Sequence, residues 1–215
     1  MKKFLILLTA LILASTQVFA LECKSASECS LIGQNLIKQK EYKDAIECFN
    51  TAISMDKEEY FAYAFMAKAY FYLKEYNKAI ENANKSIEIY PNSVAYGIRG
   101  SLELLQGKYR ETIEDTTLAL DLNSNYMKCY EVRARAKVGI EDYVGALKDA
   151  GHAIKLNDKY AKNYEVRAMA QMGLKDYISA REDFEKAAEI FKENGDKKNY
   201  KHSKKWAKIC QERIK

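Results

Sequence analysis

Tyr130-Glu131-Val132-Arg133-Ala134 returns unchanged as Tyr164-Glu165-Val166-Arg167-Ala168, 34 residues further along the chain. A verbatim return at that distance points to tandem supersecondary units, whose periods run from roughly 20 to 50 residues. The same spacing reaches well beyond the pentapeptide. Tyr42, Tyr76, Tyr109, Tyr143 and Tyr177 are separated by 34, 33, 34 and 34 residues. Three positions after these tyrosines stand Ala45, Ala79, Thr112, Ala146 and Ala180, and four further on Phe49, Ala83, Thr116, Ala150 and Phe184. Another column, three residues later, holds Ala52, Ser86, Ala119, Ala153 and Ala187.

Each period divides into two segments of about a dozen residues whose apolar positions recur every three or four, the signature of an amphipathic helix. Ala62–Leu73 and Lys78–Ile89 are one such pair. The joins within pairs are polar: Lys40-Glu41, Lys74-Glu75, Gln106-Gly107, Glu141-Asp142 and Lys175-Asp176. Composition agrees. Of 215 residues 48% are hydrophobic, with sixteen Tyr and eight Phe, too apolar for a disordered chain. Nine Gly and one Pro cannot supply the turns of a large sheet protein.

These columns resemble the tetratricopeptide repeat, a helix–turn–helix unit. The early bulky residue of that motif reads here as Tyr63, Tyr96, Tyr130 and Tyr164. The small residue reads as Gly33, Ala67, Gly100, Ala134 and Ala168, while the closing proline survives only as Pro91. The resemblance implies an all-α fold, a right-handed superhelical solenoid of about five repeats plus a C-terminal capping helix. The expected organisation is a signal peptide over 1–20, an N-terminal segment over 21–29, five repeats over 30–191, and a basic capping helix over 192–215. That last stretch places Tyr200, Ser203, Ala207, Cys210 and Ile214 on one stripe. A stack of hairpins needs such a cap, because each hairpin hides its apolar face only against a neighbour.

Lys2 and Lys3, an apolar run from Phe4 to Ala14 broken by Thr9, and the closing Val18-Phe19-Ala20 have the form of a secretory signal peptide, with cleavage expected after Ala20. The run is short of the roughly 20 residues that span a bilayer, and no later stretch approaches that length. The expected location is therefore periplasmic or secreted, with no integral membrane span. The formal charge of +5 becomes +3 without Lys2 and Lys3; residues 192–215 carry +6 and residues 21–191 carry −3. Basicity confined to one end gives no footing for nucleic-acid binding. Five cysteines in an oxidising compartment leave at least one thiol unpaired within the chain, and Cys23 with Cys29 is the pair expected to bridge. Cys48 and Cys129 read as small core residues.

In the family that the repeats resemble, the first helices of successive units line a concave groove that holds a peptide or partner helix. Carried over, that groove comprises Gln34, Phe61, Phe65, Lys68, Tyr72, Ser101, Lys128, Glu131, Arg135, Lys162, Glu165 and Met169. It is aromatic toward the first repeats and of mixed charge toward the last. A subclass grips a terminal carboxylate with a clamp of Lys, Asn and Arg; the matching positions here hold Ser30, Gln34, Phe65, Val94 and Ile98, so the clamp is missing. Arg99, Arg133 and Arg167 form a row beside the small residues and read as structural. No hydrolase, zinc-protease, phosphate-loop or dinucleotide motif occurs. The expected function is a non-catalytic interaction scaffold, without cofactor or metal, serving envelope assembly or secretion. The alternative is an envelope-surface or glycan-binding protein acting through the basic C-terminal helix. Self-association end to end is open to a stack whose cap is displaced.

Overall fold

A computed structural model describes residues 23–214, and the expected signal peptide over 1–20 lies outside them. Eleven α-helices and no strand occur among the described residues. The chain divides into two compact units between Arg99 and Gly100. The first contains α1 (Ala26–Gln39), α2 (Tyr42–Met55), α3 (Tyr60–Tyr72) and α4 (Tyr76–Ile89), and the division falls inside α5 (Ser93–Leu105). The second contains α6 (Tyr109–Leu122), α7 (Met127–Gly139), α8 (Tyr143–Leu156), α9 (Ala161–Gly173), α10 (Tyr177–Glu193) and α11 (Lys197–Arg213). In the first unit α1 packs on α2 and α3, α2 on α3, and α3 on α4. In the second, α6 packs on α7, α7 on α8 and α9, α8 on α9, α9 on α10, and α10 on α11. Antiparallel hairpins stacked with their first helices side by side are the expected all-helical repeat architecture.

One turn geometry recurs six times. Each hairpin closes through a left-handed residue, at Lys40, Lys74, Gly107, Glu141, Lys175 and Gly195, with φ between 62° and 74°. Around each, two backbone bonds fold over the helix end. The N–H of Lys74 donates to the Phe71 carbonyl while that of Glu75 reaches Tyr70; Gly195 and Asp196 donate in the same way to Lys192 and Phe191. These bonds satisfy carbonyls that a helix end leaves open. Only Gly107 and Gly195 take the conformation without steric cost; for an L-residue it costs about 1–2 kcal/mol. Asp142, Asp176 and Asp196 then cap the second helix, accepting from the N–H of Gly145, Ser179 and Asn199. The return to the next repeat uses Asp56, Asn123 and Asn157, each accepting from the N–H two residues on.

The small columns are the contact surfaces. Ala45, Ala79, Thr112, Ala146 and Ala180 are fully buried, as are Ala52, Ser86, Ala119, Ala153 and Ala187. Gly33 meets the ring of Phe49, whose Cε1 stands 2.5 Å from where a Cβ would be. Apart from Tyr76, which packs on Phe71 of its own hairpin, the repeated tyrosines serve the element that follows. Tyr42 stacks on Tyr72 with ring centroids 5.0 Å apart. Tyr109 and Tyr143 lie over Gly139 and Gly173, where a Cβ would come within 2.7 and 2.3 Å of the rings. Tyr177 packs on the cluster of Ala168, Ala180, Phe184, Ala207 and Cys210. The partners of Tyr42, Tyr109 and Tyr143 thus all lie 30 residues downstream.

The arginine row is structural, as its position beside the small residues implies. Arg133 chelates Asp149 through Nε (2.8 Å) and Nη2 (2.7 Å) and lies over Tyr130, 5.6 Å from the centroid. Arg167 repeats this with Asp183 and Tyr164. Asp149 also meets Lys137 at 2.8 Å. Such forked, charge-assisted bonds tie the two helices of a hairpin together.

A disulfide joins Cys23 to Cys29, with Cα atoms 5.3 Å apart, and fastens the segment before α1 to that helix. Cys48, Cys129 and Cys210 are buried. Burial pushes their thiols up, that of Cys129 from 9.0 to about 12.

Two outcomes are expected. Gly173→Ala drives a methyl into the Tyr143 ring and lowers stability by about 1–3 kcal/mol. Gly151→Ala, with open space around the new Cβ in α8, raises it by about 0.4–1 kcal/mol; urea melts of the pair check the contrast. The second concerns the thiols. The folded value of Cys129 lies above 9.0, so its contribution to stability is whole below about pH 9 and is lost as pH climbs toward 12. At pH 8.5 the native oxidised protein reacts with a thiol reagent at least about a hundredfold more slowly than the denatured one, because attack needs the thiolate. Rapid native labelling of any of the three would place that cysteine outside the core.

Candidate functional site

In the first unit the face of the first helices is aromatic. Phe61 is 41% and Tyr72 48% exposed, Phe65 and Gln34 are half-buried, and rings run from Tyr60 through Phe61 and Phe65 to Phe49 at centroid distances of 4.4, 6.3 and 6.5 Å. The density comes from α3 itself, whose sequence Tyr60–Tyr72 carries seven aromatic residues, more than one buried stripe can absorb. Lys68 lies 5.6 Å over the Phe65 ring and forms no ion pair among the described residues. Burial, and then the neighbouring charge of Lys38, hold its ammonium below the usual lysine value. A partly desolvated cation on an aromatic floor is suited to an anionic group on an otherwise apolar ligand.

In the second unit α7, α9 and α11 together form a cleft. Glu131, Arg135, Lys162, Glu165 and Met169, expected from sequence, line it with Lys198, Asn199 and His202. The carboxylate of Glu131 is fully buried between Lys128 and Arg135, the latter at 3.5 Å. Burial opposes the charge on Lys128, but Glu131 and the Tyr160 ring outweigh it and hold the ammonium above its usual value. Glu165 occupies the same place in the repeated pentapeptide yet has other partners: Ser203 Oγ donates to it at 2.6 Å, and His202 Nδ1 stands at 3.4 Å. An apolar pocket adjoins the cleft, floored by Phe184 and walled by Val138, Tyr143, Met172 and Trp206, with Glu165, Met169 and His202 shared between the two. Ser101 is 7% exposed on α5 and does not line either cavity.

Sequence reasoning missed Lys198, Asn199, His202 and Trp206, because it read the last helix as a cap or a basic surface and not as a wall of the groove. The signal was present. Ser203, Ala207 and Cys210 mark the packing stripe, all three buried, so the flanking His202 and Trp206 must face the preceding first helix. Asp142 caps α8, and Asp183 is held by Arg167. Among the described residues no group of three His, Cys, Asp or Glu is placed to hold a metal, and no helix is long and apolar enough to cross a membrane.

Comparison with known proteins follows the repeat boundaries. The family model of the tetratricopeptide repeat matches residues 29–59, 60–93 and 161–194. A TPR repeat-containing protein of Methanocaldococcus jannaschii is 31% identical over 98 residues, 46% of this chain and 17% of that protein. Serine/threonine-protein phosphatase 5 of Homo sapiens is 33% identical over 82 residues, 38% of this chain and 16% of the enzyme. The chain spans less than a quarter of the length of these curated relatives. Solved structures cover far more of it. A TPR protein of Thermus thermophilus superposes with a TM-score of 0.66 at 16% identity, over 83% of this chain and 98% of its own. PilW, described as a type IV pilus biogenesis factor, gives 0.66 at 14% over 84% and 91%, and YrrB, described as a TPR protein with an unusual peptide-binding site, gives 0.62 at 16% over 88% and 97%. At such identities the likeness is one of fold. Tetratricopeptide repeats are therefore present at residues 29–59, 60–93 and 161–194, within an all-helical chain of the same hairpin architecture.

Proposed function

We propose that the chain is a non-catalytic adaptor, exported from the cytoplasm, that binds a peptide or helix of a partner protein on the faces of its first helices. The observation that carries this reading is the pairing, in each unit, of cations lacking an ion-pair partner with accessible apolar side chains. In the first unit these are Lys68 with Phe61, Phe65 and Tyr72. In the second they are Lys162 and Lys198 with Met169 and Trp206. Such a surface has unsatisfied charge to give specificity and apolar area to give affinity. The peptide-binding site in the description of YrrB supports a peptide as the ligand class, and the pilus factor among the structural neighbours supports a place in envelope assembly or secretion. Export is supported by the form of residues 1–20 and by the Cys23–Cys29 bond, which suits an oxidising compartment.

The test is crosslinking capture from cells expressing the full chain, comparing wild type with Lys68→Glu/Lys162→Glu. The captured partners should fall by about tenfold in the variant at unchanged melting temperature; equal capture would refute the assignment of these faces. N-terminal sequencing of the product should begin at Leu21.

A second reading is favoured by a separate observation on α11. Lys197, Lys201, Lys204 and Lys208 are exposed and recur at four, three and four residues, one line along the helix, with only Lys208 near an acid, Glu212 at 3.9 Å. That line suits an anionic envelope surface or glycan. Removing the helix is no clean test, because Ser203, Ala207 and Cys210 belong to the core. Lys201→Glu/Lys204→Glu separates the readings: lost envelope association with intact partner capture favours the second.

A further inference from the structure

We infer that the cleft of the second unit selects an acidic–apolar peptide, seating one large apolar side chain in the pocket walled by Trp206 and an aspartate or glutamate, two or three positions away, against Lys162 and Lys198. The inference rests on reading this face as a partner-binding surface and adds which partner it takes.

Charge decides the first half. The carboxylates of the cleft are already engaged: Glu131 by Lys128 and Arg135, and Glu165 by Ser203 with His202 alongside. Asp196, whose charge Lys162 also meets, accepts from both nitrogens of Asn199. Lys162 and Lys198 form no ion pair among the described residues. An incoming carboxylate gains charge-assisted hydrogen bonds there, whereas an incoming lysine or arginine meets two ammonium groups that no ion pair holds.

Shape decides the second half. The adjoining pocket holds about 430 Å³, enough for a leucine or phenylalanine side chain, and its floor and wall are the stacked rings of Phe184 and Trp206, 6.1 Å apart. Cleft and pocket share Glu165, Met169 and His202, so they follow one another along one wall. An extended segment advances about 3.3 Å per residue, and neighbours two or three positions apart reach both.

Trp206 is the only tryptophan, so its emission reports on this pocket alone. A displayed library of random peptides, panned on the full chain, should enrich sequences with a large apolar residue two or three positions from Asp or Glu. Synthetic peptides from that pool should shift Trp206 emission, bind Lys162→Glu/Lys198→Glu at least about tenfold more weakly, and bind Lys43→Glu, a change at an exposed lysine of α2, as they bind wild type. Lys162→Gln/Lys198→Gln should give an intermediate loss, and it decides the matter if the double reversal disturbs folding. Peptides that bind without moving the emission, that ignore the lysine changes, or that carry basic residues in place of acidic ones overturn this inference while leaving a binding surface elsewhere on the chain. A library that yields no binder removes both.

Discussion

No hairpin in this chain can cover its own apolar surface, and the contact that covers it is a tyrosine ring laid over a small or flat partner in the next hairpin. Tyr109 on Gly139 and Tyr143 on Gly173 show the contact at its closest, with no room for even one methyl group. The rest is arranged around it. The fully buried alanine columns let helix axes approach. The left-handed turn residues set the angle at which the second helix returns, and the arginine–aspartate forks hold the two helices of a hairpin in register. Because each contact joins a hairpin to its successor, stability is built from neighbour terms, and a defect is felt first in the adjacent hairpin.

The pentapeptide that occurs twice shows how far sequence specifies chemistry. Its arginine behaves alike in both copies, lying over the tyrosine and gripping Asp149 or Asp183, which also recur at the same spacing. Its glutamate does not. Glu131 is sealed between two cations, while Glu165 takes a serine hydroxyl from the last helix. The difference lies in the residue one turn on, Arg135 in one copy and Met169 in the other, and in the serine that the last helix presents. The repeat therefore fixes the arginine–aspartate contact within a hairpin and leaves the glutamate to its neighbours.

This division explains what could be read in advance. The helices, their joins and the buried columns were legible because they follow a period, and a period is visible without coordinates: Lys74-Glu75 and Glu141-Asp142 fall at the turns as read. The arginine row, too, was recognisable as structural. The cleft was legible only in part. Arg135, Lys162, Glu165 and Met169 share repeat positions and could be carried from one unit to the next, but Trp206 and His202 stand on a helix where the period lapses. There α10 runs for 17 residues instead of the 14 of α8, so counting in steps of 34 no longer locates the facing residues. The burial of Glu131 was hidden for another reason: a glutamate flanked by Lys128 and Arg135 at helical spacing looks the same on paper whether the trio is solvated or enclosed.

The last helix has two employments at once, since Ala207 and Cys210 close the hydrophobic interior while His202 and Trp206 stand at the cavity. A single helix packed on the hairpin before it can open by local fluctuations far short of global unfolding. Each such opening dismantles one wall of the cavity, so the lifetime of that wall limits how long an occupant stays. The converse holds by mass action: an occupant that requires the wall in place protects the amides of α11 from exchange in proportion to its affinity.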